Sequence, residues 1–474
     1  MNKTKLRDII IVIPGITGSV LVKDKKTVWE ASYNTILKSI ANPRLFDVLR
    51  LDHDDLNVDD IDGIHPESIA KDFHLLPGIC RIDGYSKIPE VIYTVFDNIV
   101  QGDLAVSRPA NYYEFPYDWR RDNRYNARKL GELIEKALAS WKQHTALKDS
   151  RVILIGHSMG GLISRYYLEA LNGWSNCKAL ITFATPHRGS VDALDAIVNG
   201  AHKLHIDMTM VMRTFTSIYQ LLPIYKMVWD GTEYRRVNEL DIPFLEKDKA
   251  TAGIKFHHEI MEAVEENRKI KENRYGIIPV VGTFQRTLQS ASIVDGKLSV
   301  MTSPPSEDRY RGLEGGDGTV PLLSAIPIEL SDEYRESYVA DKHASLQNNV
   351  SMLSGIAERL RSMQANDLKN IRGSIANPPG AKAPALSLEV DSIYFNSEGI
   401  ISGGISNVAN EPDVLVAKLR SKSDNKVTDI KLERSSGYKA QLPSLASGAY
   451  HVELTSPGNV NAHPVNDVFI VSNP

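Results

Sequence analysis

Apolar residues follow one another without polar alternation at Ile9–Ile13, Val152–Ile155, Leu180–Ala184 and Ile277–Gly282. A strand covered on both faces reads this way, because neither side of it meets water. Between the first two runs, Leu130, Ile134, Ala137, Leu138 and Trp141 repeat with the spacing of one helix face, within residues 126–147. A last helix is expected from Leu346, Val350, Leu353, Ala357 and Leu360, which are separated by steps of 4, 3, 4 and 3. Strands alternating with helices predict an α/β architecture, a parallel sheet with helices on both faces.

Residues 30–110 and about 200–272 break the alternation with irregular mixtures of polar and apolar positions, and are expected as a cap and a lid inserted above the strand ends. Together with the sheet they make an expected domain of residues 1–375. Asn377, Pro378, Pro379, Gly380 and Pro384 mark a linker at 376–384. Beyond it, 385–474 carries short β-rich runs at Leu386–Val390, Val414–Leu419, Ile430–Glu433, Ala449–Leu454 and Val468–Val471. Their spacing predicts a C-terminal all-β, immunoglobulin-like sandwich, and Leu445, Gly448 and Tyr450 have the pattern of a tyrosine corner.

Composition narrows the function. In 474 residues, 42% hydrophobic and 24% charged, the balance of 55 basic and 59 acidic residues leaves a net charge of -4. Such a chain is globular and has no global attraction for nucleic acid. Cys80 and Cys177 stand apart with no ligand spacing around them, so both are expected as buried thiols, and neither a metal nor a cofactor is expected. The Asp-rich stretch from Asp52 to Asp62 fails the calcium-loop template, which would need Gly at Asp60 and Glu at Pro66, and reads as a solvated loop. His258 and Glu259 open a zinc-protease pattern that Glu262 breaks. The apolar run near the start ends at Pro14 after five residues, too short for a secretory signal, and no stretch is long enough to span a bilayer. The expected location is the cytoplasm, with any membrane contact peripheral.

Gly156-His157-Ser158-Met159-Gly160 stands directly after one apolar run and before a helical one. Glycines flank a serine there because a strand-to-helix turn this tight leaves no room for a β-carbon, and the turn lifts the hydroxyl above the sheet. A serine attacks only when a base takes its proton, so a histidine and an orienting carboxylate must follow in the chain. Asp317 in a Gly-rich loop and His343 ahead of the last helix satisfy that order. Asp341 competes with Asp317, but two residues from His343 it is expected to face solvent. His157 and His187 compete with His343; the first is expected to point away from the serine, and the second precedes the acid. The oxyanion hole is expected from the N–H of Met159 and that of Thr17, with Ile16 as the alternative, in the loop Pro14–Ser19.

These segments resemble the lecithin:cholesterol acyltransferase-like group of α/β hydrolases, which includes phospholipid:diacylglycerol acyltransferases and related phospholipases. The resemblance is carried by Val12–Ser19, Tyr117-Asp118-Trp119-Arg120, Gly156–Gly160, Thr185–Ser190 and Gly316–Pro321, with His343 beyond. It implies an α/β-hydrolase fold and transfer of a fatty acyl group from a phospholipid through a Ser158 acyl-enzyme to an alcohol or water. Read from their own chemistry, Asp118 and Arg120 are expected to form an internal ion pair holding the cap. A lipid ester is the expected substrate, and a protein or glycan the expected partner of the sandwich. The competing functions are a soluble esterase for small esters and a non-catalytic scaffold.

Overall fold

The computed structural model describes residues 3–473 apart from 31–43, 72–73, 77–79, 204–205, 271–274, 307–312, 331–337, 366–383, 396–397, 459 and 461. The expected linker lies outside the described residues except for Pro384. Six parallel strands form the central sheet: β1 (Ile9–Ile13), β2 (Tyr112–Glu114), β3 (Val152–His157), β4 (Cys177–Phe183), β5 (Gly276–Gly282) and β6 (Tyr338–Val339). They lie in the order β6-β5-β4-β3-β1-β2. All four apolar runs are strands, and every residue of β1 and β3 is buried, as the lack of alternation requires. The edge strands β2 and β6 were not expected: three and two residues are too few to show a period.

Helix α1 (Asn123–Thr145) presents Leu130, Ile134, Ala137, Leu138 and Trp141 to the core. It begins at Asp122, whose side chain accepts the N–H of Arg124, and ends at Ala146 in the left-handed region. Helix α2 (Met159–Glu169) follows β3 directly, α3 (Lys247–Asn267) packs on α2, and α4 (Val350–Ala365) is the expected last helix. Cys177 is buried, as expected.

In the cap, Ser19–Lys23, Lys26–Trp29 and Ile64–Ile69 form a small antiparallel sheet. It is locked to the Tyr117–Arg121 segment by charge. All five N–H groups of Arg120 are used: two on Asp118 (2.9 and 2.7 Å), two on Asp62 (2.8 and 3.2 Å) and one shared with the Leu49 carbonyl at 3.2 Å. Burial works to raise the Asp62 pKa, but the hydrogen bond and charge of Arg120 outweigh it and hold the carboxyl below its ordinary value. Arg121 pairs with Asp54 at 3.1 Å and donates to the carbonyls of Asp55 and Asp59. The acidic stretch is solvated at Asp52, Asp55, Asp59 and Asp60, as expected, but Asp54 and Asp62 turn inward to receive two buried arginines.

The described part of 200–272 also departs from expectation. Met208, Met212, Phe215, Ile218, Leu222 and Met227 are core residues, so most of the apolar content expected to line a lid supports the fold instead. Among the described residues of this segment, Met210 and Phe244 are the most exposed large apolar side chains, ahead of Ile270. Glu259 spends its carboxylate on Arg124 at 2.7 Å and on Tyr166, which explains the broken zinc pattern as an ion pair.

The C-terminal region has eight strands: β7 (Ala385–Glu389), β8 (Ile393–Phe395), β9 (Ile400–Ser406), β10 (Val414–Ser421), β11 (Val427–Ser435), β12 (Gly437–Gln441), β13 (Gly448–Thr455) and β14 (Val465–Ser472). Hydrogen bonding runs continuously in the order β7-β9-β12-β11-β10-β13-β14-β8, and the sheet curls around one core that includes Leu386, Leu415, Leu432, Val452 and Phe469. The Tyr450 hydroxyl donates to the Ala446 carbonyl at 2.8 Å, the bond of a tyrosine corner. Alternation is lost along β14, where Val465, Phe469 and Val471 face this core while Val468 and Ile470 join the core of the α/β region.

Arg120→Ala leaves two carboxylates in the interior without their cation. Urea denaturation is expected to show a loss of about 3–5 kcal/mol, against less than about 1 kcal/mol for Lys87→Ala, whose pair with Glu90 is exposed.

Candidate active site

Ser158 lies between β3 and α2 with φ 50° and ψ −122°, a conformation that L-residues seldom adopt. Its N–H still bonds the Phe183 carbonyl at 2.8 Å, so the strained residue continues the ladder of β4. A β-carbon at Gly160 would stand 2.4 Å from the Pro14 carbonyl oxygen, and one at Gly156 would stand 2.8 Å from the backbone of Gly161. The two glycines thus let the turn close against itself and against the loop after β1.

The structure brings Ser158, His343 and Asp317 together. The Ser158 Oγ is 3.1 Å from His343 Nε2, and His343 Nδ1 is 2.9 Å from Asp317 Oδ2. A carboxylate only accepts, so Nδ1 carries the proton and Nε2 is left to accept from the serine. The other oxygen of Asp317 accepts the N–H groups of Thr319 and Val320 at 2.9 and 2.7 Å, and the Asp317 carbonyl accepts the His343 N–H at 2.9 Å. All three side chains are buried, Ser158 and His343 to 6% and 5% exposure.

Thr17 and Met159 are fully buried, and Thr17 has φ 65°. Met159 is the first residue of α2, so its N–H has no acceptor within the helix. Trp29 Nε1 donates to the Thr17 carbonyl at 3.1 Å, and the Tyr117 hydroxyl to the Pro14 carbonyl at 2.9 Å; both fix the loop that carries Thr17.

The alternatives weighed against His343 and Asp317 stand outside the bonded chain from Ser158. His187 is half-buried beside Leu162, Arg165 and His257 in the wall of a small separate cavity. Asp341 does not face solvent: it is fully buried, and its carboxylate accepts from Lys342 N, Asn466 N and Asn349 Nδ2 at 2.9, 3.0 and 2.9 Å. Burial pushes its carboxyl up to about 6, against the opposing pull of those three donors. A separate cavity of about 350 Å³ opens between the cap and α1, walled by Ile64, Phe115, Tyr117 and Leu133; neither Ser158 nor His343 lines it.

His157 directs its ring nitrogens to groups other than Ser158, and its ring centroid is 5.1 Å from that of His343. Its Nε2 is 3.2 Å from the His343 carbonyl, so it donates there, and its Nδ1 accepts from the Tyr85 hydroxyl at 2.9 Å. The Tyr85 oxygen in turn accepts the Gly15 N–H at 2.7 Å. Burial, reinforced by His343, holds the His157 pKa well below its ordinary value, so the ring stays neutral and the relay keeps one polarity. In the sequence Tyr85 stands out only as the end of the cap segment 76–85, which resembles the family's stretch ahead of Tyr117-Asp118-Trp119-Arg120, and nothing there gives it a role in the site.

Tyr85→Phe strands the buried Gly15 N–H and His157 Nδ1, each worth ~1–3 kcal/mol when unpaired. Urea denaturation is expected to show a loss of at least ~2 kcal/mol from those two groups, while the exposed neighbour Ser86→Ala shifts stability by less than about 0.5 kcal/mol.

The fold has a counterpart among solved structures: a chain of the Tle4–Tli4 complex superposes with a TM-score of 0.51 at 15% identity, over 77% of this chain and 100% of that one. The mature form of the Bacillus licheniformis lipase BlEst2 is a looser likeness, with a TM-score of 0.36 at 12% identity over 75% and 93% of the two chains. No curated protein matches in sequence. The family model for lecithin:cholesterol acyltransferase matches residues 26–353, more than half of the chain, from the cap through Ser158, Asp317 and His343 into α4. The chain belongs to the lecithin:cholesterol acyltransferase family.

Proposed function

We propose that the protein is a serine-dependent acyl hydrolase or O-acyltransferase that takes a fatty acyl group from a phospholipid or a related lipid ester. The observation that carries this reading is the hydrogen-bonded chain from Ser158 Oγ through His343 to Asp317, at 3.1 and 2.9 Å, in a chain of this family. Attack of Ser158 Oγ on the ester carbonyl passes its proton to His343 Nε2. Asp317 stabilises the imidazolium and holds its tautomer. The tetrahedral oxyanion is met by the N–H groups of Met159 and Thr17, favoured by the N-terminus of α2. His343 then gives its proton to the leaving alcohol, and the acyl group stays on Ser158. Water or an acceptor alcohol, deprotonated by the same imidazole, releases the acyl group and restores the serine.

Ser158→Ala and His343→Ala are expected to stay folded and to lower ester hydrolysis by ~10⁴ or more, because the three groups act as a unit. Asp317→Asn is expected to lose a similar order by admitting the wrong tautomer of His343. A tenth of the wild-type rate surviving in Ser158→Ala would remove the assignment.

Contact with a membrane is proposed to be peripheral; among the described residues no helix is long and apolar enough to cross one. Met210 and Phe244 are 62% and 69% exposed and sit on either side of Arg213, whose guanidinium lies 4.7 Å from the Phe244 ring centroid and 3.8 Å from the Met210 sulfur. Two apolar tips around a fixed cation suit the headgroup boundary of an anionic bilayer. The double variant Met210→Asp, Phe244→Asp is expected to lose at least ~10-fold in activity on phospholipid vesicles while a short soluble ester is turned over within a few-fold of wild type. Equal loss on both substrates would assign the two residues to the fold.

A further inference from the structure

The two loops that carry His343 and Asp317 are each fastened by the C-terminal sandwich. On the His343 side the fastening is Asp341. Its Oδ1 accepts both the N–H of its own neighbour Lys342 and that of Asn466 in β14, at 2.9 and 3.0 Å. Strand β8 pairs with β14 only at Ile470–Ser472, so the edge at Asn466 is open to the loop. On the Asp317 side the fastening is Gln285, which is 1% exposed. Its backbone N–H bonds the carbonyl of Gly316 at 2.9 Å. Its side-chain amide bonds β7 twice, Nε2 to the Leu386 carbonyl and Oε1 to the Leu388 N–H, both at 3.1 Å. A third tie reaches the residues after His343: Lys422 Nζ is 2.8 Å from Asp83 Oδ1, and the Asp83 N–H bonds the Ala344 carbonyl at 2.8 Å. Around these ties, Ile393, Val468 and Ile470 of the sandwich are buried in the core of the α/β region.

We propose that the sandwich is a positioning element for the proton-transfer pair, with Asp341 as the positioning residue that sets the His343 loop against Asn466. This rests on the reading of His343 as the general base and goes beyond it, because it makes residues 385–473 part of the machinery rather than an appended module. A reacting group displaced by ~1 Å can cost ~10²-fold in rate, and a side chain carried by a loop holds its place only as well as the loop does. Asp341 is suited to the task because a carboxylate accepts from several donors at once, and here it gathers three, from its neighbour Lys342, from Asn349 ahead of α4 and from Asn466 in β14.

The test uses the full chain. Asn466→Pro removes the N–H that Asp341 receives, together with the amide side chain and the freedom of φ at that position, and is expected to lower kcat on a short soluble ester at least ~10-fold with KM within a few-fold, the pattern of misplacement rather than lost binding. Asp341→Leu should do the same, and Asp341→Asn, which keeps an oxygen for the Asn466 N–H, should recover most of the rate. In ¹⁵N-histidine-labelled protein, the downfield proton resonance of the His343 Nδ1–H bound to Asp317 should shift or broaden in Asn466→Pro and Asp341→Leu and return in Asp341→Asn. Unchanged kcat and an unchanged resonance in Asn466→Pro and Asp341→Leu, with only a lower Tm, would overturn the proposal and leave the sandwich a stabilising neighbour. The resonance reads ring placement whether or not Ser158 is the nucleophile. If Ser158→Ala hydrolyses the ester as well as wild type, the parent reading fails, and the resonance still decides this one.

Discussion

A serine at φ 50° and ψ −122° is an expensive conformation, of order 1–3 kcal/mol, and it persists at Ser158 because the surroundings leave no other solution. Its N–H is held by β4, its carbonyl accepts the Gly161 N–H at 3.0 Å, and Gly160 is pressed against the end of β1. From that turn the other positions follow. The hydroxyl stands at the C-terminal edge of the sheet, the Met159 N–H stands at the start of α2, and the loop after β1 passes so close that a β-carbon at Gly15 would stand 3.0 Å from Ser158 Cβ. A parallel sheet makes this available, since its strand ends and helix starts gather on one edge.

The remaining problem is to bring residues from distant parts of the chain to that edge and keep them there. Polar contacts between segments do this. The chain of bonds from Gly15 through Tyr85 and His157 to the His343 carbonyl links the loop after β1, the cap, the serine turn and the loop before α4. Arg120 and Arg121 join the cap to the turn that leads into α1. Asp341 and Gln285 add the sandwich. Each is a buried polar group with its partners in place, and such groups are costly to break because each partner is left unsatisfied in turn. Apolar packing supplies the bulk of the stability, while these bonds fix which segment lies against which.

Much of this was legible in the chain, for physical reasons that differ by element. Buried parallel strands announce themselves through unbroken apolar runs, so β1, β3, β4 and β5 were readable, as was α1 from its spacing. The serine turn was readable because its glycines are sterically obligatory. Strands β9 and β12 were not, since Ile400–Ser406 contains two glycines and Gly437–Gln441 begins with one, and glycine is poor in strand propensity. Asp341 was misread as solvent-facing because its partner Asn466 lies 125 residues away; charge in a sequence indicates water unless the partner is visible. The same blindness hid the pairing of Asp54 and Asp62 with Arg121 and Arg120. Met208 and Met212, within the segment expected as a lid, belong to the core, which the sequence does not show because an apolar side chain looks alike whether it meets substrate or core.

The account depends most directly on Ser158 carrying the acyl group. Incubating the full chain with a fluorophosphonate and mapping the adduct by mass spectrometry tests this without knowledge of the natural lipid. The expected result is a single stoichiometric adduct on the peptide containing Ser158, absent from Ser158→Ala and slowed by several orders of magnitude in His343→Ala. No adduct, or an adduct on another residue that persists in Ser158→Ala, would contradict the account at its centre.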